Sequence, residues 1–264
     1  MEASLAKDEN ERLLTILTGT GRPSPEEFKD LVKSLDNHRI LAKVFLLEST
    51  PFVFEKSPMK YVIFREQVAD QFGIGSQDVC IVGSAKLGFS PSPHKYGTPF
   101  NETSDVDVVV ISDPLFDRGS RELFAVLNRL DPPLHALRPF LDNSGGKGRA
   151  SSPPIVQLAD WKNVKEAIRN FVFQNFNPGL LPGDHPLRQE FFDNIGSTTG
   201  LFLALEPQVF VSKIRGRVFR TWKAAEDYYA NTLREAKRAF RGEDVDAEAE
   251  DVEAVVSMSQ AEGT

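Results

Sequence analysis

Residues 80–112 contain the pattern that most limits how this chain can fold. A short apolar run is followed at once by a Gly-Ser pair, and a second apolar run opens with the sequence Asp-Val-Asp. The polar residues of this pattern are Gly83, Ser84, Asp105 and Asp107. Because side chains alternate along a strand, the two aspartates are expected on one face, with the intervening valine on the other. The pattern predicts two buried strands, a turn after the first and paired carboxylates at the start of the second.

These residue types point to phosphate and metal chemistry. Two carboxylates held side by side on a strand suit a hard divalent cation, Mg²⁺ above all. A Gly-Ser turn at a helix start offers backbone N–H groups to a phosphate. Lys86 lies one turn further on and is expected to reach the same phosphate, with a solvated lysine as the alternative. Phosphate and metal on adjacent strands indicate phosphoryl or nucleotidyl transfer.

The pattern resembles the signature of the DNA polymerase beta-type nucleotidyltransferase superfamily. That signature is Gly-Ser or Gly-Gly after an apolar residue, a spacer, and two acids one residue apart. The resemblance covers residues 79–111 and makes the chain a divergent member with a long insertion before Asp105. It implies nucleotide phosphate contacts at Gly83 and Ser84. It also implies that Asp105 and Asp107 are the catalytic ligands of Mg²⁺ or Mn²⁺.

Active members of the superfamily carry a third acid on a later strand. The strand predicted here runs from Gln208 to Ile214, and the only acid beside it is Glu206. Asp160, after another apolar run, is an equal candidate. The expected function is Mg²⁺-dependent transfer of a nucleoside monophosphate from an NTP such as ATP to a hydroxyl of a nucleotide, RNA or protein, which the intact Gly-Ser and Asp-Val-Asp pairs favour. The alternative, favoured by the absence of a clear third acid, is a degenerate member that binds nucleotide or nucleic acid as a regulatory or interaction subunit.

The order of apolar and polar segments predicts an α+β fold, with a small mixed sheet, flanking helices and a helical C-terminal half. The expected units are a polar N-terminal segment (1–22), a nucleotidyltransferase-like core (23–141), a flexible linker (142–154), a helical region with a third core strand (155–242) and an acidic disordered tail (243–264).

Individual helices are marked by their starts. Ser24 with Glu27 forms a capping box, and a second helix is expected from Met59 to Phe72. Further helices are predicted to begin at Ser120 and to run from Val218 to Phe240.

The net charge of −7 hides an uneven distribution. Eight of the 38 acids lie in residues 243–264, so the remainder of the chain is nearly neutral. Just before this tail, nine bases and three acids occupy Lys213 to Arg241, a segment that could meet RNA or another nucleic acid. The chain has neither a secretory signal nor an apolar run long enough for a membrane span, which predicts a cytoplasmic protein without membrane contact.

Overall fold

The structure of the protein, a computed structural model, describes residues 22–129, 166–206 and 213–242. Over these ranges a four-stranded mixed sheet lies among helices, which confirms the predicted α+β class. The predicted linker, the predicted acidic tail and Asp160 lie outside the described residues. Arg22 is the one residue of the predicted N-terminal segment that is described.

The strands are β1 (Val79–Val82), β2 (Val106–Ile111), β3 (Asn175–Phe176) and β4 (Ile214–Phe219). The labelled helices are α1 (Pro25–Ser34), α2 (His38–Leu41, continuing as a π-helix over Ala42–Glu48), α3 (Pro58–Phe72), α4 (Gly83–Leu87), α5 (Asp113–Arg129), α6 (Pro186–Leu205) and α7 (Trp222–Phe240). Residues 166–172 are also helical, and single 3₁₀ turns lie at Phe52–Phe54, Ser76–Asp78, Pro93–Lys95 and Pro178–Leu180.

The spatial order of the strands is β1-β2-β4-β3. β2 pairs with β1 in antiparallel fashion and with β4 in parallel, and β3 adds an antiparallel edge to β4. Each half of the chain therefore supplies two adjacent strands of one sheet.

Several predicted helix boundaries agree with the structure. α1 begins with the capping box, in which the Glu27 amide donates to Ser24 Oγ at 3.2 Å and the Ser24 amide donates to the Glu27 carboxylate at 2.8 Å. α3 ends at Gly73, whose φ of 62° is left-handed and favours glycine.

Other predicted boundaries are wrong. α5 begins at Asp113 rather than Ser120, and the Ser112 hydroxyl accepts from the Leu115 amide at its start. The strand predicted to end at Ile214 extends to Phe219, and residues 207–212 lie outside the described ranges. The last helix consequently begins at Trp222 rather than Val218 and is capped by Thr221, whose hydroxyl accepts from the Ala224 amide.

One face of the sheet carries the larger core. Val106, Val108 and Val110 point to this side and pack with buried residues of α3, α5 and α6. Gly216 of β4 allows α6 to come close, because a Cβ there would lie 2.8 Å from the side chains of Phe191 and Ile195. The strand interior therefore contains glycine for packing rather than for a turn.

The opposite face is covered mainly by α7 and the end of α2. Leu47, Val109 and Phe219 pack there with Ala224 and Ala225 of α7. Further along α7, small and aliphatic residues pack against α1 and α2 in a separate cluster. α7 thus joins the sheet to the N-terminal helices.

Within the described ranges, no helix combines the length and the apolar character that a membrane crossing requires.

Phe202 should be a major contributor to stability. Its ring is fully buried and contacts the rings of Phe54 and Phe64 at centroid distances of 5.3 and 5.8 Å, which links α6 to α3. We expect Phe202→Ala to lower the free energy of unfolding by about 3–5 kcal/mol, because it leaves a cavity. Leu203→Ala is the matched control, since Leu203 is 39% exposed. Urea denaturation should show at most about 1 kcal/mol for the control, and equal losses would contradict this account of the core.

Candidate functional site

The register of the sheet decides which side chains surround the predicted carboxylates. Asp107 lies opposite Val82 of β1 and opposite Arg215 of β4. Residues paired across a ladder point to the same face. Asp107 and Arg215 therefore share the α7 side of the sheet, and Arg217, two residues along β4, lies on that side as well. We call the surface formed by Asp105, Asp107, Arg215 and Arg217 the Asp–Arg face.

The Gly83 turn adjoins this face directly. Gly83 has a φ of 67°, and a Cβ built on it would lie 3.0 Å from Asp107 Oδ2. Both the left-handed backbone and the close carboxylate therefore favour glycine. Ser84 follows on the first turn of α4 and, like Gly83, is half-buried. The structure thus brings together the two halves of the predicted motif.

Asp105 makes an ion pair across the strands. Arg215 Nη2 lies 2.7 Å from Asp105 Oδ2, with the arginine side chain 42% exposed and the aspartate 21% exposed. Arg215 Nε is buried and has no hydrogen-bond partner among the described residues. This donor therefore stays unsatisfied beside the aspartate, on a part of the guanidinium that solvent does not reach.

Arg217 is held by aromatic residues of α7. Its guanidinium donates a hydrogen bond to the Tyr228 hydroxyl and lies over the Tyr228 ring, 5.1 Å from the centroid. The neighbouring Tyr229 ring packs edge-on against Tyr228. Burial raises the pKa of the Tyr229 hydroxyl well above its ordinary value. These tyrosines limit the Asp–Arg face on the α7 side.

The candidates for the third acid were Glu206 and Asp160, of which Asp160 lies outside the described residues. The charged residues of β4 itself are arginines. β4 pairs directly with β2, and it places Arg215 opposite Asp107 and Arg217 opposite Val109. Glu206 ends α6 and lies 3.5 Å from Lys60 Nζ, so it is engaged elsewhere. In the described portions of the chain, no three His, Cys, Asp or Glu side chains are grouped as metal ligands.

Lys86 occupies a position that does not support the predicted phosphate contact. Its side chain is fully buried, and Nζ donates to the carbonyl oxygens of Leu47, at 2.8 Å, and of Ser49. These carbonyls belong to the end of the π-helical stretch of α2 and the residue that caps it. Lys86 therefore ties α4 to α2, and this connection fixes the helix that follows the Gly83 turn.

The long insertion between α4 and β2 is anchored rather than free. The Ser90 amide donates to the Thr98 carbonyl at 2.8 Å, and the Phe100 amide donates to the Gly88 carbonyl at 2.9 Å. The Tyr96 hydroxyl also donates to the Pro25 carbonyl on α1. The insertion is therefore hydrogen-bonded both to α1 and to the residue that ends α4.

Much of the predicted nucleic-acid segment is engaged within the chain. Lys237 Nζ lies 2.7 Å from Asp36, Arg220 Nε lies 2.7 Å from Asp113, and Arg241 donates to the Lys33 carbonyl. These contacts neutralise or occupy several of the bases, and RNA binding through Lys213 to Arg241 stays a prediction.

A separate open groove, which the sequence did not indicate, lies at the other end of β2. Ile111, Ser112 and Asp113 line it together with residues of the α3–β1 connection and of α6. Its two arginines, Arg118 and Arg220, are ion-paired with Glu190 and Asp113. The groove is therefore distinct from the Asp–Arg face and has internally compensated charges.

Comparison with family models, with curated proteins and with solved structures finds no match for this chain.

Replacing Gly83 should destabilise the turn more than its backbone conformation alone requires. Gly73 is the matched control, because its φ of 62° is similar but a Cβ there meets nothing within 4 Å. We expect Gly73→Ala to cost about 1 kcal/mol for the left-handed conformation. Gly83→Ala should cost more, since the added methyl also displaces Asp107. Equal decreases in the free energy of unfolding, measured by chemical denaturation, would show that the contact with Asp107 does not contribute to this difference.

The buried Lys86 should give the protein a characteristic pH dependence. Burial lowers its pKa to about 8 in the folded state, although the nearby Cys80 thiol opposes the shift, whereas an unfolded chain has a lysine pKa of about 10.4. Between these values the unfolded state binds more protons, so this group increases stability as pH rises from about 8 towards 10.4.

The measurement compares wild type with Lys86→Met by urea denaturation at several pH values in that window. The free energy of unfolding of wild type should rise relative to the variant by about 1 kcal/mol per pH unit. Parallel pH profiles for the two proteins would show that Lys86 keeps an ordinary pKa.

Proposed function

We propose that this chain is a nucleotide-binding protein of nucleotidyltransferase-like architecture that lacks metal-dependent transfer and acts as a regulatory or interaction subunit. The observation that carries the proposal is the ion pair of Asp105 with Arg215, which engages one of the two carboxylates expected to hold a metal ion. A cytoplasmic location and a nucleic-acid or protein partner, both expected from the sequence, belong to the same proposal.

Electrostatics favours binding over transfer at this face. Mg²⁺ demands near-octahedral oxygen coordination and is usually held by one or two carboxylates together with waters and substrate phosphates. Asp105 and Asp107 are the acids of the Asp–Arg face, and a guanidinium already lies 2.7 Å from one of them. A metal ion at Asp105 would have to displace this guanidinium. The arginines instead suit an anion such as a phosphate.

A second candidate function is Mg²⁺- or Mn²⁺-dependent nucleotidyl transfer from an NTP to a hydroxyl acceptor. It is favoured by the close approach of Gly83 to Asp107, which keeps the turn and one carboxylate adjacent. In this alternative Asp105 and Asp107 would be the metal ligands.

Calorimetric titration and a pyrophosphate-release assay separate the two functions. Each of the four NTPs is titrated with and without Mg²⁺, and turnover is followed with Mg²⁺ or Mn²⁺ present. We expect heat of binding for at least one NTP and no pyrophosphate release above that of the Asp105→Ala/Asp107→Ala double variant. The reason is that the guanidinium of Arg215 occupies the Asp105 carboxylate on which a metal ion would depend.

Asp70→Ala is the control, because it removes an exposed carboxylate of α3 remote from the Asp–Arg face. Release of pyrophosphate that the control retains and the double variant loses would establish the second candidate instead. The absence of binding for every NTP, with the proteins folded by circular dichroism, would reject the proposed function.

A further inference from the structure

We propose that Arg215 supplies the positive charge that holds a polyphosphate at the Asp–Arg face, so that binding there needs no divalent cation. This inference rests on the proposed nucleotide binding and specifies its chemistry. The ligand class is a nucleoside triphosphate, held through its phosphates by a guanidinium that Asp105 occupies in the free protein.

The first argument is position. The parallel ladder places Arg215 opposite Asp107, at the start of β4. The two strands are joined at this end by a hydrogen bond of 3.0 Å from the Val106 amide to the Lys213 carbonyl. The backbone therefore fixes the Cα atom of Arg215 beside both aspartates. The length of its side chain determines how far the guanidinium can extend from the sheet.

The second argument is accessibility combined with unused hydrogen-bonding capacity. The Arg215 side chain is 42% exposed, so an anion in solvent can approach it. Its Nη2 is bound to Asp105 and its Nε is buried, so an anion would meet the exposed part of the guanidinium. A guanidinium has five donors in a planar fork that matches phosphate oxygens. A phosphate can therefore take over donors that the aspartate leaves unused.

The third argument is that the neighbouring cations are held in place. Arg217 is fixed against Tyr228, and Lys86 is buried with its ammonium on backbone carbonyls. Neither can swing to a phosphate without losing these contacts. Arg215, which is 42% exposed and paired with Asp105, can change partner more readily than either of these two.

This arrangement makes Asp105 a competitor of the ligand rather than its metal ligand. A phosphate that binds Arg215 must displace Asp105 or share the guanidinium with it. Removing the Asp105 charge should therefore strengthen anion binding, whereas the same change would weaken binding that depends on a metal at Asp105. The two mechanisms predict opposite signs for one substitution.

The experiment titrates ATP and inorganic tripolyphosphate into the full chain in EDTA and in excess Mg²⁺. We expect wild type to bind in EDTA. Asp105→Asn should bind about three- to tenfold more tightly, because the guanidinium no longer has a competing carboxylate. Arg215→Ala should bind at least about tenfold more weakly, because a charge-assisted contact is lost. Arg215→Lys should recover part of the affinity, since a lysine keeps the charge without the planar fork.

Arg121→Ala is the matched control, because it removes an exposed arginine of α5 and should leave the affinity unchanged. Binding that requires Mg²⁺ and is abolished by Asp105→Asn would overturn the role of Arg215 while leaving nucleotide binding intact. Binding in EDTA with equal affinity for wild type and Arg215→Ala would also overturn it. Failure of every nucleotide to bind under both conditions would instead reject the proposed function itself.

Discussion

The parallel pairing of β2 with β4 is the constraint on which both the core and the candidate site depend. It joins strands that are about a hundred residues apart in sequence, and its register runs from Val106 opposite Ile214 to Ile111 opposite Phe219. A slip of one residue would turn the arginines of β4 towards α6 and its core-facing apolar residues towards the Asp–Arg face. Ile214 and Val218 are buried in the larger core, so the hydrophobic pattern of β4 specifies the observed register. The same register sets Arg215 beside Asp105.

Local patterns were sufficient to predict the elements whose signals lie within a few residues. The capping box at Ser24, the left-handed stop at Gly73 and the four-residue strand before Gly83 are examples. In each case the signal is a hydrogen bond, a φ value or a run of apolar residues. The residues that produce it lie within less than two helical turns of one another. The boundaries of α5 and α7 could also have been found, because Ser112 and Thr221 are ordinary N-cap residues.

β4 could not be predicted in the same way. Its sequence, Ile-Arg-Gly-Arg-Val-Phe, contains a glycine and two arginines, which are poor evidence for a strand in isolation. Gly216 is explained by the close approach of Phe191 and Ile195 from α6, a contact that the local sequence does not reveal. The sequence indicated that the Gly83 turn and Asp107 would lie close together. It did not reveal the partner of Asp105, because that partner also comes from a distant part of the chain. The burial of Lys86 likewise depends on where α2 ends, about forty residues earlier in the chain.

The presence of two neighbouring aspartates has a physical explanation that does not require a metal. Like charges side by side destabilise a sheet unless opposite charges lie close to them. Arg215 provides such a charge for Asp105, and the arginine would in turn be a poorly compensated cation without the aspartate. The carboxylates and arginines of the Asp–Arg face are therefore best understood as one charge-balanced set. Because an anion added to this set must compete with Asp105 for Arg215, its affinity is limited by the strength of an existing ion pair. Such a balance suits reversible binding of a charged ligand better than permanent retention of it.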